Sequence, residues 1–241
     1  MIGRLFVALR LQLLVQARSF FPHIYFALAV LTILAFRFLL PDDFRDWLLP
    51  PLLLGEPALL GLSLVAAQRY LEMGEGSTTA LVVTPLRNGE YVAAMVLVSG
   101  LQATIAGGLL QAGVLGFDAR VLLVLPPLFL MAVISGLVGL ALSTYTTEFT
   151  RFIMICMIPA TILGQAPLLA YFGLVPDASF VWLPGDPALK SFAMLSLAEP
   201  GGFSAGLYVG RVLQLVVWTA LAFAWALWAF RERVRGHLEE A

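Results

Sequence analysis

The chain has 241 residues, of which 61% are hydrophobic and 12% charged, with a net charge of −1 and a mean hydropathy of +0.94. An ordinary soluble domain is roughly 45–50% apolar, so a core of this size has no room for that much apolar surface, and a polytopic membrane protein is the class that accommodates it. No basic block or aromatic-basic interleaving is present, so nucleic acid is not an expected partner, and the lone Cys156 excludes an intrachain disulfide.

In chain order, the first element is a helix over residues 1–19. Ile2, Phe6, Leu9, Leu13 and Ala17 form an apolar stripe, while Arg4, Arg10 and Arg18 cluster elsewhere. That pattern predicts an interfacial helix in the headgroup plane, with a continuous extension of the first span as the alternative because Leu5, Leu11 and Leu14 blur the stripe, and the stretch lacks the ordinary form of a cleavable signal peptide. Pro22 then turns the chain into the first of six apolar segments, each about twenty residues long as a bilayer requires. They cover 20–40, 48–70, 91–115, 121–144, 152–174 and 207–230. The expected fold is therefore all-α, with six transmembrane helices in a single domain over 1–241.

Two connectors stand out. Between spans two and three, residues 71–90 form a polar island: Glu72-Met73-Gly74-Glu75-Gly76-Ser77, a short apolar run through Leu81 and Val82, then Thr84-Pro85-Leu86-Arg87 and Glu90-Tyr91. Ser77 caps and Pro85 ends a brief helix lying at the membrane surface. Before the last span, 175–206 carries Pro176, Pro184, Pro187, Pro200 and Gly201-Gly202 around two modest apolar runs, which predicts short or re-entrant helices rather than a seventh span.

Basic residues near the span ends set the orientation. Arg4, Arg10, Arg18, Arg69, Arg87, Arg151, Arg231, Arg233 and Arg235 fall on one side, and Arg37, Arg45, Arg120, Lys190 and Arg211 on the other. The nine-residue side is expected to be cytoplasmic, with both termini and the 71–90 loop; the protein is then a multi-pass protein of the cell membrane.

Chemistry-bearing motifs are sparse. A phosphate-binding loop needs a lysine within Gly-x-x-x-x-Gly-Lys, and the chain's single lysine, Lys190, stands in Pro-Ala-Leu-Lys-Ser. The chain is therefore not expected to hydrolyse ATP itself. His23 and His237 lie at opposite ends without cysteine partners, so no metal or catalytic set is expected. The ionisable residue deep in a span is Glu56, about 12 Å from the outer end by helical rise. A carboxylate at that depth faces a cavity or an opposite charge. Gln111, Gln165 and Gln214, with Arg211 and Arg37, fall in the outer parts of their spans. A pathway cluster and a set of structural pairs are both open readings. Pro50, Pro51, Pro57, Pro159 and Pro167 loosen spans two and five, and Gly107-Gly108 allows close packing.

The 71–90 island resembles the cytoplasmic loop of type-two ATP-binding-cassette exporter permeases, with Glu72, Glu75, Gly76, Thr84, Pro85, Leu86, Glu90 and Tyr91 matching; Gly74, Thr79 and Met95 replace charged positions. Glu56-Pro57-Ala58-Leu59-Leu60-Gly61 and Ala170-Tyr171-Phe172-Gly173-Leu174, with Leu183-Pro184, are similar to the branch named for fluoroquinolone export. Haem-exporter permeases have a similar loop and length. The resemblance implies a permease that works as a dimer, identical or homologous, with two ATP-binding subunits that hold ATP and magnesium. It also implies helical hairpins before span six and a coupling helix over 76–86 carrying the contacts to the ATPase: Glu72, Glu75, Gly76, Ser77, Leu81, Val82, Thr84, Pro85, Leu86 and Arg87. The implied substrate is a drug-like or lipid-like amphiphile. Other classes the residues leave open are a non-transporting membrane scaffold or assembly factor and, against the empty catalytic inventory, a membrane-embedded enzyme.

Overall fold

The structure is a computed structural model that describes residues 2–18, 21–74, 87–196 and 203–239. Among these residues the ordered elements are helices: α1 (Ile2–Arg18), α2 (Phe21–Leu39), α3 (Asp42–Gly74), α4 (Asn88–Leu115), α5 (Ala119–Ser143), α6 (Phe149–Ala160), α7 (Ala166–Tyr171), α8 (Gly185–Ser196) and α9 (Ala205–Glu239). A π turn, Thr161–Gln165, joins α6 to α7, and a 3₁₀ turn, Asp177–Phe180, precedes α8. By length and composition Asn88–Leu115, Ala119–Ser143, Phe149–Tyr171 and Ala205–Glu232 are each able to cross a membrane, and Phe26–Leu39 is a shorter apolar helix. The chain is thus a multi-pass membrane protein, all-helical among its described residues.

The bundle has a centre and a rim. The spanning stretches of α4 and α5 are 67% and 61% buried, whereas those of α6–α7 and α9 are 22% buried in each case. With α3, the first two form the middle. The rim helices turn Ile153, Met154, Met157, Ile158, Leu213, Val217 and Trp228 outward, as helices bordered by lipid do.

What brings the central helices together is the absence of side chains at their crossing. A Cβ on Gly61 of α3 would lie 2.4 Å from the backbone oxygen of Ala132 in α5, and one on Gly139 of α5 would lie 2.5 Å from the oxygen of Leu62 in α3. Two backbones in van der Waals contact maximise dispersion where lipid offers no hydrophobic drive to associate. Gly107 and Gly108 of α4 serve in a milder way, lying against Leu128 and Leu125 of α5. Leu62, Ala66, Val138, Phe152 and Cys156 form a satellite core where α6 leans on this crossing.

The connections are built from named caps. Arg45 closes the α2–α3 corner by donating to the carbonyls of Phe36 (2.8 Å), Leu40 (3.0 Å) and Arg37 (2.8 Å), so a residue counted by charge in the sequence is a helix C-terminal cap. Gly116, at φ +94°, ends α4, and Asp118 caps α5 by accepting from the Ala119 amide at 2.6 Å. Along α1 the buried stripe is Ala8, Gln12 and Gln16, while the apolar Phe6 and Leu13 are exposed. The apolar stripe read from the sequence therefore points away from the protein, and a polar stripe holds α1 to α4 and α3. Before α9, the 175–206 region contains one 3₁₀ turn and one α-helix among its described residues; α8 is inserted against α3, α5 and α9 with Ala188, Phe192 and Leu195 buried.

Adding one methyl group at the crossing tests this arrangement. Gly139→Ala should lower the thermal unfolding midpoint of the purified chain in detergent, by an amount equivalent to about 1–3 kcal/mol for overpacking. Gly210→Ala, at a helical glycine with open space around it, should leave the midpoint unchanged or raise it.

Candidate functional site

The polar residues concentrate at the end of α3 that leads into the 75–86 segment. That segment itself, with the predicted Glu75, Gly76, Ser77, Leu81, Val82, Thr84, Pro85 and Leu86, lies outside the described residues. Its two anchors are described. On the α3 side, four residues within five positions reach between them α1, α4, α5 and the turn before α6. Gln68 accepts from Gln16 Nε2 at 2.7 Å and itself donates to Gln12, both on α1. Arg69 donates to Ser143 Oγ at 2.9 Å, at the end of α5. The Tyr70 hydroxyl bonds to Thr146, donating to its carbonyl at 3.3 Å, in the turn before α6. Glu72 accepts from Gln68 Nε2 (3.2 Å), from Gln12 Nε2 (3.5 Å) and from the Tyr91 hydroxyl of α4.

The α4 side is organised in the same way. The Glu90 carboxylate accepts from the Arg87 amide at 3.1 Å and caps α4, which places the adjacent Tyr91 inward on Glu72. Gln16 also donates to Ser99 Oγ at 3.0 Å, binding α1 to α4 one level deeper. Two motif residues, Glu72 and Tyr91, thus bond to each other across the two ends of the loop. Burial pushes the Glu72 carboxyl above its ordinary range; the bonds from Tyr91, Gln68 and Gln12 and the nearby Arg69 offset part of that rise.

In physical terms this is a clamp. The two helix ends that flank residues 75–86 are hydrogen-bonded to each other and to α1, α5 and the turn before α6. Glu72, which the resemblance implied as part of the contact to the ATPase, has its carboxylate bonded to Gln12, Gln68 and Tyr91. The glutamines were missed. Their signal is spacing: Gln12 and Gln16 on α1, and Gln68 and Glu72 on α3, are polar pairs four apart on otherwise apolar helices, the pattern of two faces meeting.

The outer-half candidates are separated by the structure. The side chain of Glu56 lies outside the described residues, although its backbone is part of α3. Gln165 sits on the π turn with Nε2 3.6 Å from where a Cβ on the neighbouring Gly55 would stand, so these two positions meet. Arg211 donates to the Lys190 carbonyl at 2.8 Å and approaches Met194 Sδ at 3.5 Å, while Gln214 donates to the Val181 carbonyl at 2.7 Å. Both residues tie α9 to the 181–194 stretch. Lys190, the chain's single lysine and one of the five basic residues assigned to the outer side, bridges Asp177 (3.2 Å) and the buried Asp186 (3.0 Å), fastening the 3₁₀ turn to α8. Arg37 donates to the Gly113 carbonyl at 3.3 Å. Gln111 stands apart, lining a cavity beside Ser196.

No protein-family model matches the chain. It is similar to the fluoroquinolones export permease protein of Mycobacterium tuberculosis in two strains, CDC 1551 / Oshkosh and ATCC 25618 / H37Rv. In each case 29% of 199 aligned residues are identical, covering 81% of this chain and 84% of the relative. The resemblance carried by a short loop thus extends over most of the length of both chains, and it falls in the branch to which the motifs at 56–61, 170–174 and 183–184 pointed.

The clamp makes a pH-dependent prediction. Because the folded-state pKa of Glu72 is raised, its contribution to stability is complete below the unfolded carboxylate range and is lost as pH rises through the folded value. The stability difference between the wild-type chain and Glu72→Gln should therefore move in favour of the variant as pH rises through that interval, as read by thermal unfolding across a pH series. Tyr91→Phe, which removes one donor from the carboxylate, should cost about 1–3 kcal/mol where Glu72 is ionised.

Proposed function

We propose that the chain is the transmembrane permease subunit of an ATP-binding-cassette exporter. The observation that carries this reading is the similarity over four fifths of the chain to proteins named as fluoroquinolone export permeases, in a fold of apolar helices. In this reading α2 and α3 complete a set of six spans, both termini and the 75–86 loop are cytoplasmic, and α1 lies along the membrane surface with Phe6 and Leu13 in the acyl region. Two permease protomers, identical or homologous, assemble with two ATP-binding subunits that hold ATP and magnesium, and this chain contributes no ATPase chemistry. The substrate is a drug-like or lipid-like amphiphile.

Coupling runs through the 76–86 helix, whose apolar Leu81 and Val82 seat in a groove of the ATPase subunit. Glu72 then acts behind that contact. Movement of the loop reaches α1 through Gln12 and Gln68, α4 through Tyr91, and α5 through Arg69, so the clamp distributes one local push over the bundle. The π turn following Pro159 is the natural place for the outer half to yield, because its ladder of backbone bonds is already interrupted.

Copurification with an ATP-binding subunit is the direct test. Leu81→Asp should lose the ATPase subunit or uncouple hydrolysis from transport while the chain remains folded; burying a charge in place of an apolar contact weakens such docking by roughly tenfold or more. Phe180→Asp in the outer segment should retain the ATPase. Equal behaviour of the two variants would remove the loop from the coupling path.

Topology is tested separately, on a Cys156→Ala background. A cysteine at Ser77 should react with an impermeant reagent only after permeabilisation, and one at the exposed Ala178 should react in intact cells. Reaction at position 77 in intact cells would reverse the orientation.

A further inference from the structure

At the end of the bundle opposite the clamp, a cavity of about 180 Å³ opens between the start of α3, the α4–α5 turn and the end of α8. Its polar lining is Asp46, Gln111, Asp118, Arg120 and Ser196, with Leu115 as an apolar wall. Two of these groups are buried and lack a bonding partner among the described residues. Gln111 is 1% exposed and Ser196 is 6% exposed, and neither the Gln111 amide oxygen nor the Ser196 hydroxyl has a hydrogen-bond partner. Buried polar groups without partners are uncommon in folded proteins, and two lining the same cavity mark a place that a polar ligand completes.

The chemistry of the lining selects the ligand. Asp46 and Asp118 bring two carboxylates and Arg120 one guanidinium, which stands 3.7 Å from Asp118, so the lining carries a net negative charge. The unpartnered amide oxygen and hydroxyl add acceptors beside those carboxylates. An ammonium group supplies three donors and a positive charge, which matches two neutral acceptors and a carboxylate. Leu115 and Val121 line the same cavity and offer apolar surface to a short hydrocarbon attached to the ammonium. We propose that this cavity is a binding site for the ammonium group of a small organic amine. The site lies apart from the clamp and goes beyond the permease reading, so its occupancy is measurable on the chain alone, without transport.

The experiment compares phenethylamine with its uncharged analogue 2-phenylethanol, titrated onto the purified full chain in detergent and read by saturation-transfer NMR. The amine should bind about tenfold or more tightly than the alcohol. Asp46→Asn, at an exposed position that does not threaten folding, should remove that preference, as should Gln111→Leu. Calcium chloride, added against sodium chloride of matched ionic strength, should leave the bound amine in place. Equal binding of amine and alcohol, an amine preference that survives in both variants, or displacement by calcium would each overturn the proposal.

Discussion

The contact on which the bundle depends is the backbone crossing of α3 and α5 at Gly61, Ala132, Leu62 and Gly139. Inside a bilayer, lipid tails solvate apolar side chains as well as neighbouring helices do, so association rests on how closely two helices approach. Residues without a Cβ allow the closest approach. Once α3 and α5 are in register, α4 packs along α5 through Gly107 and Gly108, and α8 inserts against α3 and α5. The rim helices α6–α7 and α9 then cover what remains and present apolar side chains outward.

Register at that crossing also sets the polar chemistry at both ends. On the loop side it brings Arg69 to Ser143 and Tyr70 to Thr146, and leaves Gln68 and Glu72 facing α1 and α4. Within low dielectric, side-chain bonds of this kind hold strongly, and losing one partner leaves the other desolvated and unpaired. The α3 end before the loop is therefore stiff. A stiff helix end transmits displacement rather than absorbing it. At the opposite end Arg211 and Gln214 fasten α9 to the 181–194 stretch and Lys190 holds α8 to the 3₁₀ turn, so the bundle is tied at both ends, with the π turn between them.

Much of the helix pattern was legible because it follows from segment hydropathy, a local property. The expected spans at 91–115 and 121–144 agree with α4 and α5 to within a few residues at each end, and 152–174 corresponds to the continuous stretch of α6, the π turn and α7. The likeness to exporter permeases was also legible, since the loop motif is contiguous. The candidate site was legible only in part. Glu72 and Tyr91 were named from the motif, but their bond to each other joins residues nineteen apart across the loop, and nothing in either residue alone announces it. Gln111, Gln165, Arg211 and Gln214 share an outer location in sequence, yet helix rotation sends Gln111 to the cavity beside Ser196, Gln165 to Gly55, and Arg211 and Gln214 to the 181–194 stretch. Helix rotation is fixed by packing, not by depth.

The sequence by itself determined that the chain is helical and membrane-embedded, where most of its long apolar helices begin and end, and which stretch breaks the apolar run between spans two and three. These follow from composition, proline and glycine placement, and charge, each acting within one segment. Only the tertiary structure decided which face of α1 binds the protein, that Glu72 points inward, that Lys190 is a staple, and that Gln111 and Ser196 share a cavity. The reason is that a helix exposes a side chain every 100°, and hydropathy in a membrane protein is nearly uniform around that circle. With so little amphipathic signal, the direction each helix faces is set by where a small residue lets two backbones meet, which is a property of pairs of helices and not of either one.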